Sequence, residues 1–401
     1  MRRIVPVETT NPARLLSFEL PVSKSTYNRH RMLHHLAGAK MPFVGAGLPA
    51  DCRNLDLALN STEEVVYLGQ GGTTLRFYLA SRLLSKNQIQ IEVDEQLKTR
   101  PLKPLLDALE MLGLNVERTW PLLIKPGKGL KSKVHIPSVE SSQFVSALAL
   151  VGAFMENGIT IEWTGELVSK SFLNLTLEVL KTWQISYVFE GQRLQIRPGF
   201  RLPDGIRMEG DWASASYVIM GAALRKQTIC LKNLSENSGQ PDEALKNMLA
   251  PLGVKLKGVG PGMQVECKNP ESNLIQQNFS DCPDLAPTLC VWHLMQGIPI
   301  WFTGLQTLNS KESRRLDKMV ELLKNMQLDV AVGKDHLYCP DMNPRFPERY
   351  CAETEGDHRL AMAFSDLCLR IPDFNLSEVE SVDKSFPKFW EEMKPFKIIY
   401  R

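Results

Sequence analysis

The charged residues that stand out in this sequence are those at the openings of helix-like runs. Lys24, Arg29, Arg100, Lys311, Arg315, Arg359 and Lys384 lie in or beside short turns rather than in Lys/Glu-rich faces. A helix N-terminus offers unpaired N–H donors and about half a positive charge, so it draws phosphate and carboxylate groups. Arginine adds planar, paired donors matched to the oxygens of the same anions. Taken alone, each of these cations reads as a solvated surface charge. Their recurrence at helix starts points instead to a cleft for highly anionic small molecules. Two acids stand among them: Asp284 opens an apolar run in CPDLAPT, and Glu312 lies between Lys311 and Arg315 in KESRR. Each can be a salt-bridge partner, and Asp284 can equally be an N-cap. Each can also be a general acid or base whose protonation the neighbouring charges control.

Such side chains need elements to hold them. A polar turn opening an apolar run occurs six times: SKSTYNRHRMLHHLAG from Ser23, GQGGTTLRFYLASRLL from Gly69, SSQFVSALALVGAFME from Ser141, GDWASASYVIMGAALR from Gly210, CPDLAPTLCVWHLMQG from Cys282 and GDHRLAMAFSDLCLR from Gly356. Ser and Asp cap helix starts, and runs apolar nearly all round belong inside a domain. Amphipathic helices alternate with them: RPLKPLLDALEMLG from Arg100, KSFLNLTLEVLKTW from Lys170, QPDEALKNMLAPLG from Gln240 and KESRRLDKMVELLKNMQ from Lys311, with weaker members from Asp51 and Asp383. Several end at or near Leu-Gly, a helix stop. Short β-rich stretches (QIQIEV, KVHIP, GITIEW, RLQIRP, QTICLKN and IPIWFTG) fill the gaps. The pattern predicts an α/β fold of six repeats of strand, helix, strand, helix and further strands, split three and three. A chain of 401 residues is too long for one ordinary core, which fits two domains.

Other functions are excluded by what is missing. A formal net charge of +2 argues against a nucleic-acid footprint. There is no GxxxxGK[ST], GQGGTT does not complete GxGxxG, and no GxSxG elbow is present. His30 and His34 have zinc-helix spacing, but Arg31 stands where HExxH needs its Glu, so no metal is expected. The N-terminus lacks a signal-like apolar core, and the longest apolar stretch, 144–155, is too short to span a bilayer. A soluble cytoplasmic protein is the expectation. The eight cysteines form no CxxC pair and read as buried free thiols.

In order along the chain, PVSKSTYNR, GQGGTTLRF, TRPLKPLLDALEMLG, SSQFVSALAL, ELVSKSFLNLTLEVLKTW, GDWASASY, CPDLAPT, KESRRL, GDHRLAMAF and DKSFPKFW resemble signature segments of the 5-enolpyruvylshikimate-3-phosphate synthases. The resemblance covers nearly the whole sequence. It implies a two-domain inverse α/β barrel, each domain three βαβαββ units with helices inside and sheets outside. Domain I is expected at 1–20 plus 209–401 and domain II at 21–208, with the active cleft between them closing on substrate. The reaction implied moves the enolpyruvyl group of phosphoenolpyruvate to the 5-hydroxyl of shikimate 3-phosphate and releases phosphate, by addition and elimination through a tetrahedral ketal. Neither metal nor organic cofactor is implied, and the family expectation is a monomer with only these small-molecule partners.

By the same resemblance, Lys24, Ser25, Arg29 and Gln143 contact shikimate 3-phosphate, and Ser141, Ser142 and Ser169 cradle its phosphate. Thr307 belongs to that substrate's site too, while Asp284 and Lys311 hold the acceptor hydroxyl. Lys24, Gly72, Arg100, Gln143, Arg315, Arg359 and Lys384 match the phosphoenolpyruvate pocket. Asp284 is the implied base, and Glu312 or Lys24 the acid that protonates the methylene carbon. Departures from the family pattern are Val22, the GQGGT loop, Gln96, Phe172, Thr307, Arg314 (adding a cation beside Arg315) and Gly356. Gly72 leaves room for glyphosate, so inhibition is expected. Two other readings are an enolpyruvyl transferase acting on UDP-N-acetylglucosamine and a non-catalytic anion-binding homologue. The first is disfavoured by the lack of any cysteine between Cys52 and Cys230, and the second by retention of the charged set.

Overall fold

Short apolar strands joined by helices build the same four-stranded sheet five times among the described residues. The structure, a computed structural model, describes residues 1–7, 14–41, 47–127, 129–137, 141–260, 262–267 and 276–400. In the first sheet Val65–Tyr67 runs parallel to Ile89–Glu92, which pairs antiparallel with Leu122–Lys125, itself antiparallel to Asn115–Glu117. A parallel pair needs a crossover, and the Gly72–Ser81 helix supplies it; the last two strands form a hairpin. Lys133–Ile136, Ile159–Trp163, Arg193–Ile196 and Tyr187–Glu190 repeat the pattern around the Ser142–Gly152 helix.

The chain separates into two units, Met1–Ser23 with Glu209–Arg401, and Lys24–Met208. The first contains three such sheets. In one of them Leu16–Phe18 lies parallel to Ile229–Leu231, yet the crossover helix Trp212–Ala223 follows only after residue 208. The second unit is therefore inserted between the opening strand of a repeat and its helix. Arg2–Pro6 likewise completes the sheet of Asp373–Leu376 and Lys397–Tyr400. The first change-over falls at Ser23 rather than near Leu20. Ser23 N–H donates to the Glu209 carbonyl at 2.9 Å, Asp211 N–H donates to the Pro21 carbonyl at 2.9 Å, and Val22 bridges Gly210. In the second unit the helices Lys24–Leu36 and Ala50–Asn60 form a further pair, and the stretch between them includes residues 42–46, outside the described set.

In each unit the apolar helices are internal. Lys24–Leu36, Gly72–Ser81 and Ser142–Gly152 pack on one another, and Ala286–Gln296 packs on Trp212–Ala223 and His358–Phe364. Every residue of Trp212–Ala223 is buried, so truncating one of its larger apolar side chains costs about 2–5 kcal/mol. The amphipathic helices Lys103–Leu112 and Lys170–Thr182 bury one stripe. Gly113 ends the former at φ +119°, a conformation other residues rarely adopt. The run from Gln240 is helical from Pro241 to Leu252 but tightens at both ends: Pro241 opens a 3-10 turn, Pro241–Ala244, the α-helix covers only Leu245–Leu249, and Pro251 lies in a second 3-10 turn, Ala250–Leu252. Among the described residues no helix is long and apolar enough to cross a membrane.

His30 lies inside the Lys24–Leu36 helix, where its Nδ1 accepts from Trp183 Nε1 at 3.1 Å. Burial, with the charges of His34 and Arg29, pulls its pKa from 6.5 down to about 4. The unfolded chain binds this proton first, so stability is full above about pH 6.5 and is lost as pH falls towards about 4, by roughly 3 kcal/mol. The urea midpoint is expected to fall between about pH 7 and about pH 4.5, and to fall less in His30→Gln, whose amide oxygen can still accept from Trp183. Equal losses in the two proteins would contradict this.

Candidate active site

In the first unit the chemistry-bearing side chains meet around Arg315, which opens the Arg315–Asn325 helix and is 1% exposed. Its Nε donates to Asp357 Oδ2 at 2.6 Å, its Nη1 to Asp284 Oδ1 at 2.8 Å and its Nη2 to Glu312 Oε2 at 2.6 Å. Asp357 is held in turn as the N-cap of His358–Phe364, accepting from Arg359 N–H at 2.9 Å and from Ser313 Oγ at 2.9 Å. The loop before it turns at Gly356, whose φ of +71° suits glycine and whose N–H donates to Glu378. That geometry gives the glycine at this position a physical reason.

Asp284 is therefore not an N-cap. Its turn, Pro283–Leu285, has no side-chain cap, and its carboxylate faces cations: Arg359 Nη2 at 2.7 Å, Arg315 Nη1 at 2.8 Å and Lys311 Nζ at 3.7 Å. Glu312 joins Arg315 to Lys384, whose Nζ lies 2.8 Å from Oε1. Burial alone would raise the Asp284 pKa, but the charges of Arg359, Lys311 and Arg315 outweigh it and hold the carboxyl well below the usual carboxylate range. The converse holds for Arg359: burial would weaken its hold on the proton, and Asp284, Tyr217, Asp211 and Asp242 raise it well above the ordinary value. A carboxylate held this firmly is a weak base until another anion takes its cations.

The second unit carries its own set. Lys24 Nζ reaches the buried Asp51 Oδ2 at 2.8 Å, and Thr74 Oγ1 ties the Asp51 carbonyl at 2.8 Å. Gly72 starts the Gly72–Ser81 helix, and a Cβ there would lie 2.5 Å from Arg76 Nη1 and 3.2 Å from Arg100 Cζ. Glycine thus lets two guanidinium groups approach a helix N-terminus. Arg76 Nη1 donates to Gln143 Oε1 at 2.7 Å and fixes that amide's orientation. Ser141 caps Ser142–Gly152 by accepting from Gln143 N–H, Ser142 is buried, and Ser25 is half-buried in the first turn of Lys24–Leu36. Ser169 precedes Lys170–Thr182 in a left-handed conformation, φ 55°, a strain of the kind that gathers at functional sites.

The geometry thus groups Asp284, Lys311, Glu312, Arg315, Arg359 and Lys384 in one unit, with Thr307 half-buried just before Lys311, and brings Lys24, Gly72, Arg100 and Gln143 into the other's helix starts. Arg29 has protein partners of its own. It is buried, and its guanidinium donates to Thr176 Oγ1 at 2.8 Å and to the carbonyls of Ser25 at 2.7 Å and Phe172 at 2.9 Å. Burial pulls its pKa down to about 9. These contacts make Arg29 a brace between two helices. Arg315 likewise is enclosed by carboxylates. Arg314 does not add to the cluster: it is exposed and pairs with Asp317 at 2.5 Å. Sequence reasoning missed Asp51, Asp357 and Arg76. Arg76 was legible as the residue one helical turn after Gly72, whereas the acids look like ordinary helix-start residues.

The fold is shared with enolpyruvyl transferases of known structure. An EPSP synthase from Acinetobacter baumannii shares the fold with a TM-score of 0.74 at 20% identity, covering 100% of both chains. The enolpyruvyl transferase NikO from Streptomyces tendae gives 0.68 at 14%, again over 100% of both. Within that class, the family model for EPSP synthase (3-phosphoshikimate 1-carboxyvinyltransferase) matches residues 50–393. A 3-phosphoshikimate 1-carboxyvinyltransferase of Bacteroides fragilis is 31% identical over 392 residues, 94% of each chain, and one of Marinomonas sp. is 29% identical over 340 residues, 81% of this chain and 78% of that one. The chain belongs to the EPSP synthase family.

The Arg315 hub makes a stability prediction. Arg315→Gln leaves the buried Asp357 and the half-buried Glu312 with less countercharge and should destabilise the protein by about 3–5 kcal/mol, read from urea unfolding. A loss under about 1 kcal/mol would mean that the hub is solvated in the working protein.

Proposed function

We propose that the chain transfers the enolpyruvyl group of phosphoenolpyruvate to the 5-hydroxyl of shikimate 3-phosphate and releases phosphate. The observation that carries the mechanism is the triple hold of Arg359, Arg315 and Lys311 on Asp284. Both substrates carry a carboxylate and a phosphate, so they repel each other and need cations to come together. When phosphoenolpyruvate draws the charge of Arg359 and Arg315, Asp284 loses part of what depresses its pKa. The substrate thereby makes its own base. Asp284 then accepts the hydroxyl proton as the oxygen adds to C2 of the enol, and Glu312 or Lys24 gives a proton to C3. The resulting ketal loses phosphate as C3 returns a proton. Bringing the two substrates together in register supplies about 7–11 kcal/mol of the barrier.

Lys24, Ser25, Ser141, Ser142, Gln143 and Ser169 serve shikimate 3-phosphate, with Arg29 bracing them. Thr307 and Lys311 are assigned to the same substrate, and the Thr307 hydroxyl is buried without a hydrogen-bond partner among the described residues. Gly72, Arg100, Arg315, Arg359 and Lys384 serve phosphoenolpyruvate. The enol phosphate carries its own activation, so the scheme needs no cofactor.

Phosphate release by the purified chain is the test. Release should need both substrates, and Asp284→Asn should lower kcat by about 10²–10⁴ with a smaller change in KM. Exchange of the C3 hydrogens with deuterated solvent assigns the acid: it disappears in whichever of Glu312→Gln and Lys24→Met removes the proton donor. Turnover with a nucleotide-sugar acceptor instead would replace this reading.

A further inference from the structure

The helix that carries Arg315 is capped by a residue outside it. The Lys318 N–H donates to the Arg314 carbonyl at 3.0 Å, so the N–H groups of Arg315, Leu316 and Asp317 take no partner from within the helix. An N-cap side chain ordinarily accepts from the second and third of these. Arg314 stands at the N-cap, and a guanidinium has only donors to offer. Asn309, in the preceding turn, takes over the task. Its Oδ1 accepts from Leu316 N–H at 3.0 Å and from Asp317 N–H at 3.3 Å. Its Nδ2 donates to Asp317 Oδ1 at 2.7 Å, and Asp317 Oδ2 accepts from Arg314 Nε. Both ends of the amide are used, so the network fits it in one orientation.

The segment closed by this clamp contains Lys311, Glu312 and Arg315. On its N-terminal side the Leu308–Ser310 turn is anchored by the buried Leu308, and Ser310 donates its N–H at 3.2 Å and its Oγ at 2.9 Å to the Thr307 carbonyl. On the other side Ser313 Oγ donates to Asp357 Oδ2 at 2.9 Å. Lys311 lies between these anchors. Arg315 and Glu312 are held by their ion pair at 2.6 Å, and Glu312 again by Lys384 at 2.8 Å. Lys311 Nζ stands 3.7 Å from Asp284 Oδ1, and Asn309 fixes the backbone just before it.

We propose that Asn309 is a positioning residue for the acceptor: by capping the Arg315–Asn325 helix from the preceding turn, it holds the backbone that presents Lys311 to the hydroxyl of shikimate 3-phosphate. This role rests on the enolpyruvyl-transfer reading and adds to it a residue that touches neither substrate. A misplacement of about 1 Å in a group that orients a reactant costs up to about a hundredfold in rate. A segment tied at both ends before the substrate arrives also has less ordering entropy left to lose on binding.

Steady-state kinetics of the full chain with both substrates varied is the test. Asn309→Ala removes the acceptor and the donor of the clamp. It should lower kcat/KM for shikimate 3-phosphate by about tenfold to a hundredfold while the KM for phosphoenolpyruvate stays within about threefold. The pair Asn309→Asp with Asp317→Asn exchanges donor and acceptor, keeps the net charge and gives up only the exposed contact to Arg314. It should bring kcat/KM for shikimate 3-phosphate back to within about threefold of the unaltered chain. Unchanged kinetics in Asn309→Ala, an equal loss for the two substrates, or a loss that the exchange does not reduce overturns the proposal. Should Asn309→Ala not fold, Asn309→Asp alone, which sets two carboxylates against each other, takes its place with the same expected split and the same rescue by Asp317→Asn. Failure of the unaltered chain to release phosphate from both substrates sinks the transfer reading and this inference with it. Release with unmoved kinetics in the variant removes Asn309 alone.

Discussion

A single buried guanidinium organises the charged half of this site. Arg315 touches Asp357, Asp284 and Glu312, and each of those carboxylates fixes something else: a helix start, Arg359 and Lys384. Ion pairs in a low-dielectric setting are strong, yet taking their members out of water costs several kcal/mol each, so such a hub adds little net stability for its size. Its value is geometric. It holds several oppositely charged side chains in a fixed arrangement before any substrate arrives, and preorganised charge is the largest common source of catalysis.

In the proposed scheme, that hub is also why Asp284 can be both firmly ionised in the free chain and a base during turnover. Its cations are the ones an incoming carboxylate and phosphate would claim. The same logic makes the surrounding acids matter as much as the cations, since every unneeded negative charge near Arg359 competes with the substrate.

The architecture was legible because its signals are local. Polar turns before apolar runs announced the buried helices, alternating strands announced the sheets, and Gly113 announced a helix stop. The amphipathic periodicity from Gln240 is real, though only Leu245–Leu249 is α-helical and the turns on either side are 3-10. The insertion of one unit inside a repeat of the other rests on the pairing of Leu16–Phe18 with Ile229–Leu231, a contact across more than two hundred residues that no local pattern encodes. Site residues were legible as a set of cations at helix starts. Their partners were less so, because burial decides whether an acid is a surface charge or a counterion. Asp51 and Asp357 look alike in sequence to solvated acids. Arg29 looks like an exposed cation until its guanidinium is found on Thr176 and on the carbonyls of Ser25 and Phe172.

The most direct test of this account is the protonation of Asp284 with and without bound anions, followed by isotope-edited infrared spectroscopy of its carboxyl band. Shikimate 3-phosphate with a saturated, unreactive mimic of phosphoenolpyruvate holds the complex before reaction. Asp284 should stay a carboxylate down to about pH 4 in the free chain and show a carboxylic-acid band at that pH once both anions are bound. A band that is unchanged by the two ligands would contradict the claim that substrate charge frees the base.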